Sequence, residues 1–197
     1  MKLGFLASHG GSNMQAILDG CRDGTILATP GLLICNNRNA QAIERAQPAG
    51  MPVSVLNGKT HPDPEALDQA MLDALQAASV DLVILAGFMK KIGPKTMASF
   101  RNRIVNIHPS LLPKFGGQGM YGLRVHEAVL AAGETETGAT VHLIGSEYDE
   151  GSILQQVAVP VLPDDTPESL QQRVLENEHQ LYPHTLAKIS LGEIELP

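Results

Sequence analysis

The stretch Asp81-Leu82-Val83-Ile84-Leu85-Ala86-Gly87 limits what this chain can fold into more than any other. Successive side chains of a strand point to opposite faces of its sheet. An unbroken apolar run closed by glycine therefore reads as a strand buried on both sides, which happens where helices cover both faces of a parallel sheet. Further apolar runs fit the same sheet: Leu3–Ala7, Leu32–Cys35, Val53–Val55 and Ile104–Ile107. Between them lie helical patterns. Met14, Ile17, Leu18 and Cys21 fall at i, i+3, i+4, i+7, the stripe of an amphipathic helix. Leu67, Ala70, Met71, Ala74 and Leu75 repeat the stripe after Asp63-Pro64. Alternating strands and helices predict an α/β fold, a Rossmann-like open and mostly parallel sheet with helices on both faces.

The pattern changes after about residue 138. Ala139–Ile144 and Gln156–Val161 alternate polar and apolar residues, which predicts half-exposed, partly antiparallel strands. Asp165-Thr166-Pro167-Glu168 offers a cap and a proline at the first helical position, opening a last helix toward Tyr182. No linker or repeat interrupts the chain, so one domain spanning residues 1–197 is expected.

Composition removes several classes of function. No apolar run approaches the ~18 residues of a membrane span. The N-terminus enters a strand without the anatomy of a signal peptide. A formal net charge of −7 argues against broad binding to nucleic acid or anionic membranes. Two cysteines, Cys21 and Cys35, on separate elements fit buried thiols in a reducing compartment, and the cytoplasm is the expected location.

In folds of this kind ligands bind beyond the carboxyl ends of the strands, and three segments end there with chemistry-bearing residues. Ser8-His9-Gly10-Gly11-Ser12-Asn13 is a small-residue turn into a helix N-terminus, which suits an anion. It has no dinucleotide or nucleoside-triphosphate signature, so a phosphate monoester fits as well as a plain turn with Ser12 as N-cap. Gly87-Phe88-Met89-Lys90-Lys91-Ile92 can line an apolar pocket for a planar ligand, or simply pack on the core. Third is Asn106-Ile107-His108-Pro109-Ser110-Leu111-Leu112-Pro113. Residues two apart in a strand share a face, so Asn106 and His108 project side by side where Pro109 ends the ladder. The pair joins an amide donor for a developing oxyanion to a titratable acid/base. Asp149, in a Tyr-Asp-Glu-Gly turn, is the candidate partner for His108, since a carboxylate beside an imidazole raises its pKa and orients it. His126 and His142 read as satisfied core residues, and His61 and His184 as polar or terminal ones.

Taken together, the ordered motifs Gly10-Gly11-Ser12-Asn13, Leu85-Ala86-Gly87-Phe88-Met89, Asn106 to Pro113, Asp149-x-Gly151 and Glu178-His179 resemble the phosphoribosylglycinamide formyltransferases, folate-dependent enzymes of purine biosynthesis. The resemblance runs nearly end to end. It implies that Asn106, His108 and Asp149 are the catalytic trio. It implies that Gly11, Ser12 and Asn13 hold the phosphate of glycinamide ribonucleotide, while Leu175, Glu176, Asn177 and Glu178 complete that site at the ribose. Met89, Lys90, Lys91 and Ile92, with Asn106 and the loop Gly145, Ser146, Glu147, Tyr148 and Asp149, would wrap the pteridine of 10-formyltetrahydrofolate. No metal and no covalent nucleophile is expected, and the implied assembly is a monomer or homodimer.

The sequence departs from the family in three places. Lys90 stands where many members have arginine, and a lysine cannot imitate a bidentate fork. Pro64 takes the place of a folate-contacting arginine in some members, with Lys59 as a substitute source of charge. The loop Phe115-Gly116-Gly117-Gln118-Gly119-Met120-Tyr121-Gly122 is longer than in shorter members, and its glycines suit a mobile active-site loop. Alternatives on the same fold are a formyltetrahydrofolate hydrolase, which usually carries an extra N-terminal regulatory domain, and a methionyl-tRNA formyltransferase, which needs a C-terminal RNA-binding domain and a basic surface. A non-catalytic phosphate-binding module would explain the glycine-rich turn but not the trio.

Overall fold

In the computed structural model, residues 1–145, 149 and 151–197 are described. Strands β1 (Lys2–Ala7), β2 (Thr29–Cys35), β3 (Val53–Val55), β4 (Leu82–Leu85), β5 (Ile104–His108), β6 (Glu136–Leu143) and β7 (Ile153–Pro160) form one sheet in the order β3-β2-β1-β4-β5-β6-β7. The pairs among β1 to β5 are parallel, and β5–β6 and β6–β7 are antiparallel. The helices are α1 (Ser12–Asp23), α2 (Gln41–Ala46), α3 (Pro64–Ala77), α4 (Pro94–Ser99), α5 (Leu123–Ala131) and α6 (Pro167–Ser190).

Side-chain alternation along β4 builds two cores at once. Leu82 and Ile84 join Leu3 and Phe5 of β1 beneath α1, α5 and α6. Val83 and Leu85 join Leu6 and the Met71 and Leu75 side chains of α3 on the opposite face. The mostly parallel sheet with helices on both faces is therefore as expected, and so are its antiparallel late strands.

Local chemistry explains where α3 and α6 begin. The Asp63 side chain accepts from the Glu65 and Ala66 N–H groups, with Pro64 at the first helical position. Thr166 and Ser169 form a reciprocal capping box ahead of α6. This last helix passes its expected end at Tyr182 and continues to Ser190 through Pro183. The Tyr182 hydroxyl lies 2.8 Å from the Val105 carbonyl and 3.2 Å from that of Leu85, fastening α6 to the ends of β5 and β4.

Two expectations are corrected. Ser12 is not an N-cap: α1 starts at Ser12, and its cap is Gly11 in the left-handed region (φ 65°) with no side-chain hydrogen bond. A Cβ on Gly11 would meet the Ala42 Cβ at 2.8 Å, so both conformation and space require glycine there. β6 is not half-exposed, because every residue after Glu136 is buried. Two of its polar side chains, Thr140 and His142, are satisfied inside the protein, while the buried Thr137 hydroxyl has no partner among the described residues. Thr140 Oγ1 donates to the Ser110 carbonyl and accepts from the Leu112 N–H, so the segment after β5 covers the face that alternation alone assigns to solvent.

Candidate active site

A cavity of about 850 Å³ opens beyond the carboxyl ends of β1, β4 and β5. All three of the loops singled out in the sequence reach it, together with one face of α6. Two hydrogen bonds fix the loops to one another. The Ser8 N–H donates to the Gly87 carbonyl, and the buried Ser8 hydroxyl accepts from the Met89 N–H at 2.8 Å. Ser8 thus sets the height of the Met89–Ile92 wall, a role that nothing in its local sequence marks.

At one end of the cavity, Asn13 Nδ2 donates to Glu178 Oε2 at 2.7 Å, linking the first turn of α1 to α6. Burial pushes the Glu178 carboxyl up to about 7, against the smaller opposing effect of the Asn13 donor. Of the expected phosphate-holding residues Asn13 lines the cavity; Gly11 and Ser12 do not, and lie beside it at the helix N-terminus, where the first N–H groups have no partner within the helix. Gln171, Leu175 and Glu178 line the cavity from α6. Glu176 and Asn177 do not. Residues three and four apart share a helix face, so these two are rotated away, with Glu176 accepting from Gln172 and Asn177 donating to the Arg173 carbonyl.

The other end holds Asn106, His108 and Asp149. Strand alternation puts Asn106 and His108 on one face, as expected, and the Asp149 carboxylate comes back to them. His108 Nδ1 lies 3.6 Å from Asp149 Oδ2, within ion-pair reach but longer than a hydrogen bond. His108 Nε2 lies 2.8 Å from the Phe115 carbonyl, and the Gly117 N–H donates to Asp149 Oδ2 at 3.0 Å. Phe88, Met89 and Ile92 give the wall between the two ends its apolar character, with Lys90 exposed at the cavity's edge. Lys59 is exposed and is not among the residues that line the cavity. Gly145 lies in the wall, whereas Ser146, Glu147 and Tyr148 fall outside the described residues.

His142 is buried and satisfied, as its sequence position implies, but its partner is Asn106, whereas buried His126 keeps an Nδ1 unpaired among the described residues. His142 pairs with Asn106 across β5 and β6. Its Nδ1 donates to the Leu143 carbonyl at 2.9 Å, and its Nε2 accepts from Asn106 Nδ2 at 3.2 Å. That arrangement needs a neutral ring, and burial holds the His142 pKa below the ordinary value. His142 Nε2 also lies 3.6 Å from Asp149 Oδ1. His126 lines the cavity from α5, with a buried Nδ1 that has no hydrogen bond and a pKa lowered to about 4, chiefly by burial. Only the β5–β6 register reveals His142, and a local sequence pattern does not carry that register. Among the described residues, no group of three His, Cys, Asp or Glu side chains is arranged to hold a metal ion.

An amide, a histidine and a carboxylate on one cavity wall suit acyl-type transfer. The pattern of the formyl transferase family matches residues 1–186. The chain belongs to the formyl transferase family. Among proteins of known function, it is 43% identical over 189 residues to the chloroplastic phosphoribosylglycinamide formyltransferase of Arabidopsis thaliana, covering 95% of this chain and 65% of that protein. It is 38% identical over 195 residues to the phosphoribosylglycinamide formyltransferase of Haemophilus influenzae, covering 99% of this chain and 90% of the relative. Among solved structures, it is similar to glycinamide ribonucleotide transformylase 1 from Symbiobacterium toebii, with a TM-score of 0.92 and 40% identity over 100% of this chain and 91% of that one. The formyl transferase fold is thus shared over the whole sheet, including the antiparallel β6 and β7.

Proposed function

We propose that this chain transfers the formyl group of 10-formyltetrahydrofolate to the primary amine of glycinamide ribonucleotide, a step of de novo purine (IMP) biosynthesis. The observation that carries the reading is the meeting of Asn106, His108 and Asp149 at the end of the cavity away from the Asn13–Glu178 contact. One end suits a phosphorylated ribose, and the other suits the reacting carbonyl.

The residues fit both substrates. The first turn of α1 offers backbone N–H groups to a phosphate. A Glu178 carboxyl titrating at about 7 is partly protonated near neutrality, which limits its repulsion of that phosphate and lets it both donate to and accept from ribose hydroxyls. Phe88, Met89 and Ile92 supply an apolar slot for the flat ring of a folate. Exposed Lys90 at the edge gives a point charge for carboxylates.

In this reading, the amine attacks the formyl carbon, a new C–N bond forms, and the C–N bond to the folate breaks. Negative charge develops on the formyl oxygen. One Asn106 N–H is held by His142, and the other is free to donate to that oxygen. Loss of one such donor typically costs ~10²–10³ in rate. His108 carries the proton lost by the amine to the departing nitrogen, while the Asp149 carboxylate faces the imidazolium.

The test is a spectroscopic assay of a 10-formyl-dideazafolate with and without glycinamide ribonucleotide. Consumption that requires the amine is the expected result. Equal consumption without it would convert the reading to a hydrolase.

A further inference from the structure

We propose that Phe115 is a positioning residue for this reaction: its main-chain carbonyl holds the proton of His108 Nε2, so that Nδ1 is the nitrogen that takes up and returns the transferred proton. The inference rests on His108 being the proton carrier, but its primary readout is independent of turnover.

A carbonyl oxygen only accepts hydrogen bonds. The 2.8 Å contact between Phe115 O and His108 Nε2 therefore requires the hydrogen on Nε2 in both charge states of the ring. The neutral ring then has its lone pair on Nδ1, and the charged ring has its second proton there, facing Asp149 Oδ2 at 3.6 Å. The hydrogen bond made by one ring nitrogen commonly decides the state of the other in this way. The other titratable side chains near His108 are His126 and His142, and burial lowers the pKa of both, so neither competes as a cation.

The carbonyl reaches His108 only because Phe115 adopts φ 55°, a left-handed conformation that bulky residues avoid. Contacts on every side hold it there. The Phe115 ring packs against the core, the Lys114 carbonyl accepts from Ser110 Oγ at 2.6 Å, and the Gly117 N–H is taken by Asp149. Next to Phe115 the chain passes so close to its neighbours that position 116 has no room for a side chain, a Cβ there meeting Leu112 Cδ2 at 2.6 Å and Asp149 Cβ at 3.3 Å. Strain of this kind persists where the surroundings over-determine it. The same three residues thus hold both members of the acid/base pair, Phe115 through its C=O and Gly117 through its N–H.

The experiment is long-range ¹H–¹⁵N correlation NMR of the full chain labelled with ¹⁵N-histidine, with His108 assigned by the signals lost in His108→Gln. Neutral His108 is expected as the Nε2–H tautomer. The Nδ1–H tautomer, or a mixture of the two, overturns the proposal. Phe115→Pro, whose φ is fixed near −65°, is expected to give mixed tautomers and to lower kcat ~10-fold or more, with both KM values little changed. Phe115→Gly reaches +55° freely and is expected to keep the tautomer and turn over about tenfold faster than Phe115→Pro. If Phe115→Pro retains the pure Nε2–H tautomer and its kcat, the carbonyl has no such role. A wild type with the expected tautomer that consumes folate without amine overturns the transfer reading and leaves the positioning assignment supported.

Discussion

The two ends of the cavity are built in different ways. The Asn13–Glu178 end comes from regular elements, the first turn of α1 and one face of the long α6, joined by a buried 2.7 Å hydrogen bond. The Asn106–His108 end combines strands with loops, β5 and β6 supplying Asn106, His108 and His142. Its carboxylate comes from the connection after β6, and its imidazole is held by the carbonyl of a left-handed loop residue. A binding end needs shape before the ligand arrives, and helices supply it. A reacting end needs groups that change charge, and here loop backbone hydrogen bonds hold a largely buried imidazole and carboxylate. The difference suggests a division of labour, with affinity for the phosphorylated amine at one end and rate at the other.

Substitutions can break that division if it is wrong. The largest effect is expected for Asp149→Asn, which removes the anion facing His108: kcat should fall by ~10²–10⁴ with folding intact, as steady-state kinetics and circular dichroism would show. Near-normal turnover would remove Asp149 from the trio. Asn106→Ala should lower kcat by ~10²–10³ through loss of the oxyanion donor. It also leaves His142 Nε2 without its donor, so a rise in KM for the amine of the same size would blur the two ends.

Asn13→Ala should act in the opposite sense, raising KM for glycinamide ribonucleotide on the order of tenfold with little change in kcat or in KM for the folate. It also leaves a buried carboxyl unpaired, at ~1–3 kcal/mol of stability. A further effect bears on stability and not on turnover. Glu178 titrates at about 7 in the folded chain against an ordinary 4.5, so between those values the folded state keeps a proton that the unfolded chain has lost. Its contribution to stability therefore falls as pH rises through that window, by on the order of 3 kcal/mol in all. His126, lowered to about 4, works in the other direction, adding stability that is lost as pH falls from its ordinary 6.5 toward 4. The clean quantity is thus a difference: Glu178→Gln should gain on the wild type from about pH 5 to about pH 7 in denaturant titrations. A constant difference would mean that Glu178 is ionised throughout.

Legibility in the sequence followed the range of the interactions. The unbroken run at Leu82–Leu85 shows its two-sided burial locally, and Asp63-Pro64 and Thr166-Pro167 announce their helices within one turn. Asn106 and His108 were readable together because strand alternation is a two-residue rule. β6 misled because Thr140 and His142 mimic a wet face, while their partners, Ser110 and Asn106, lie 30 and 36 residues away. Glu176 and Asn177 stand beside Glu178 in the sequence, but the helical period turns them away from the cavity. The contact of His108 with Phe115 depends on a positive φ at a non-glycine residue, which local sequence preference argues against.

The central claim is that binding of the phosphorylated amine and formyl transfer reside in separable ends of one cavity. Calorimetric titration of glycinamide ribonucleotide into Asp149→Asn and Asn13→Ala tests it most directly. The account predicts wild-type affinity for Asp149→Asn and affinity weakened by on the order of tenfold for Asn13→Ala, the equivalent of ~1.4 kcal/mol. Weakened binding in Asp149→Asn, or unchanged binding in Asn13→Ala, would contradict it.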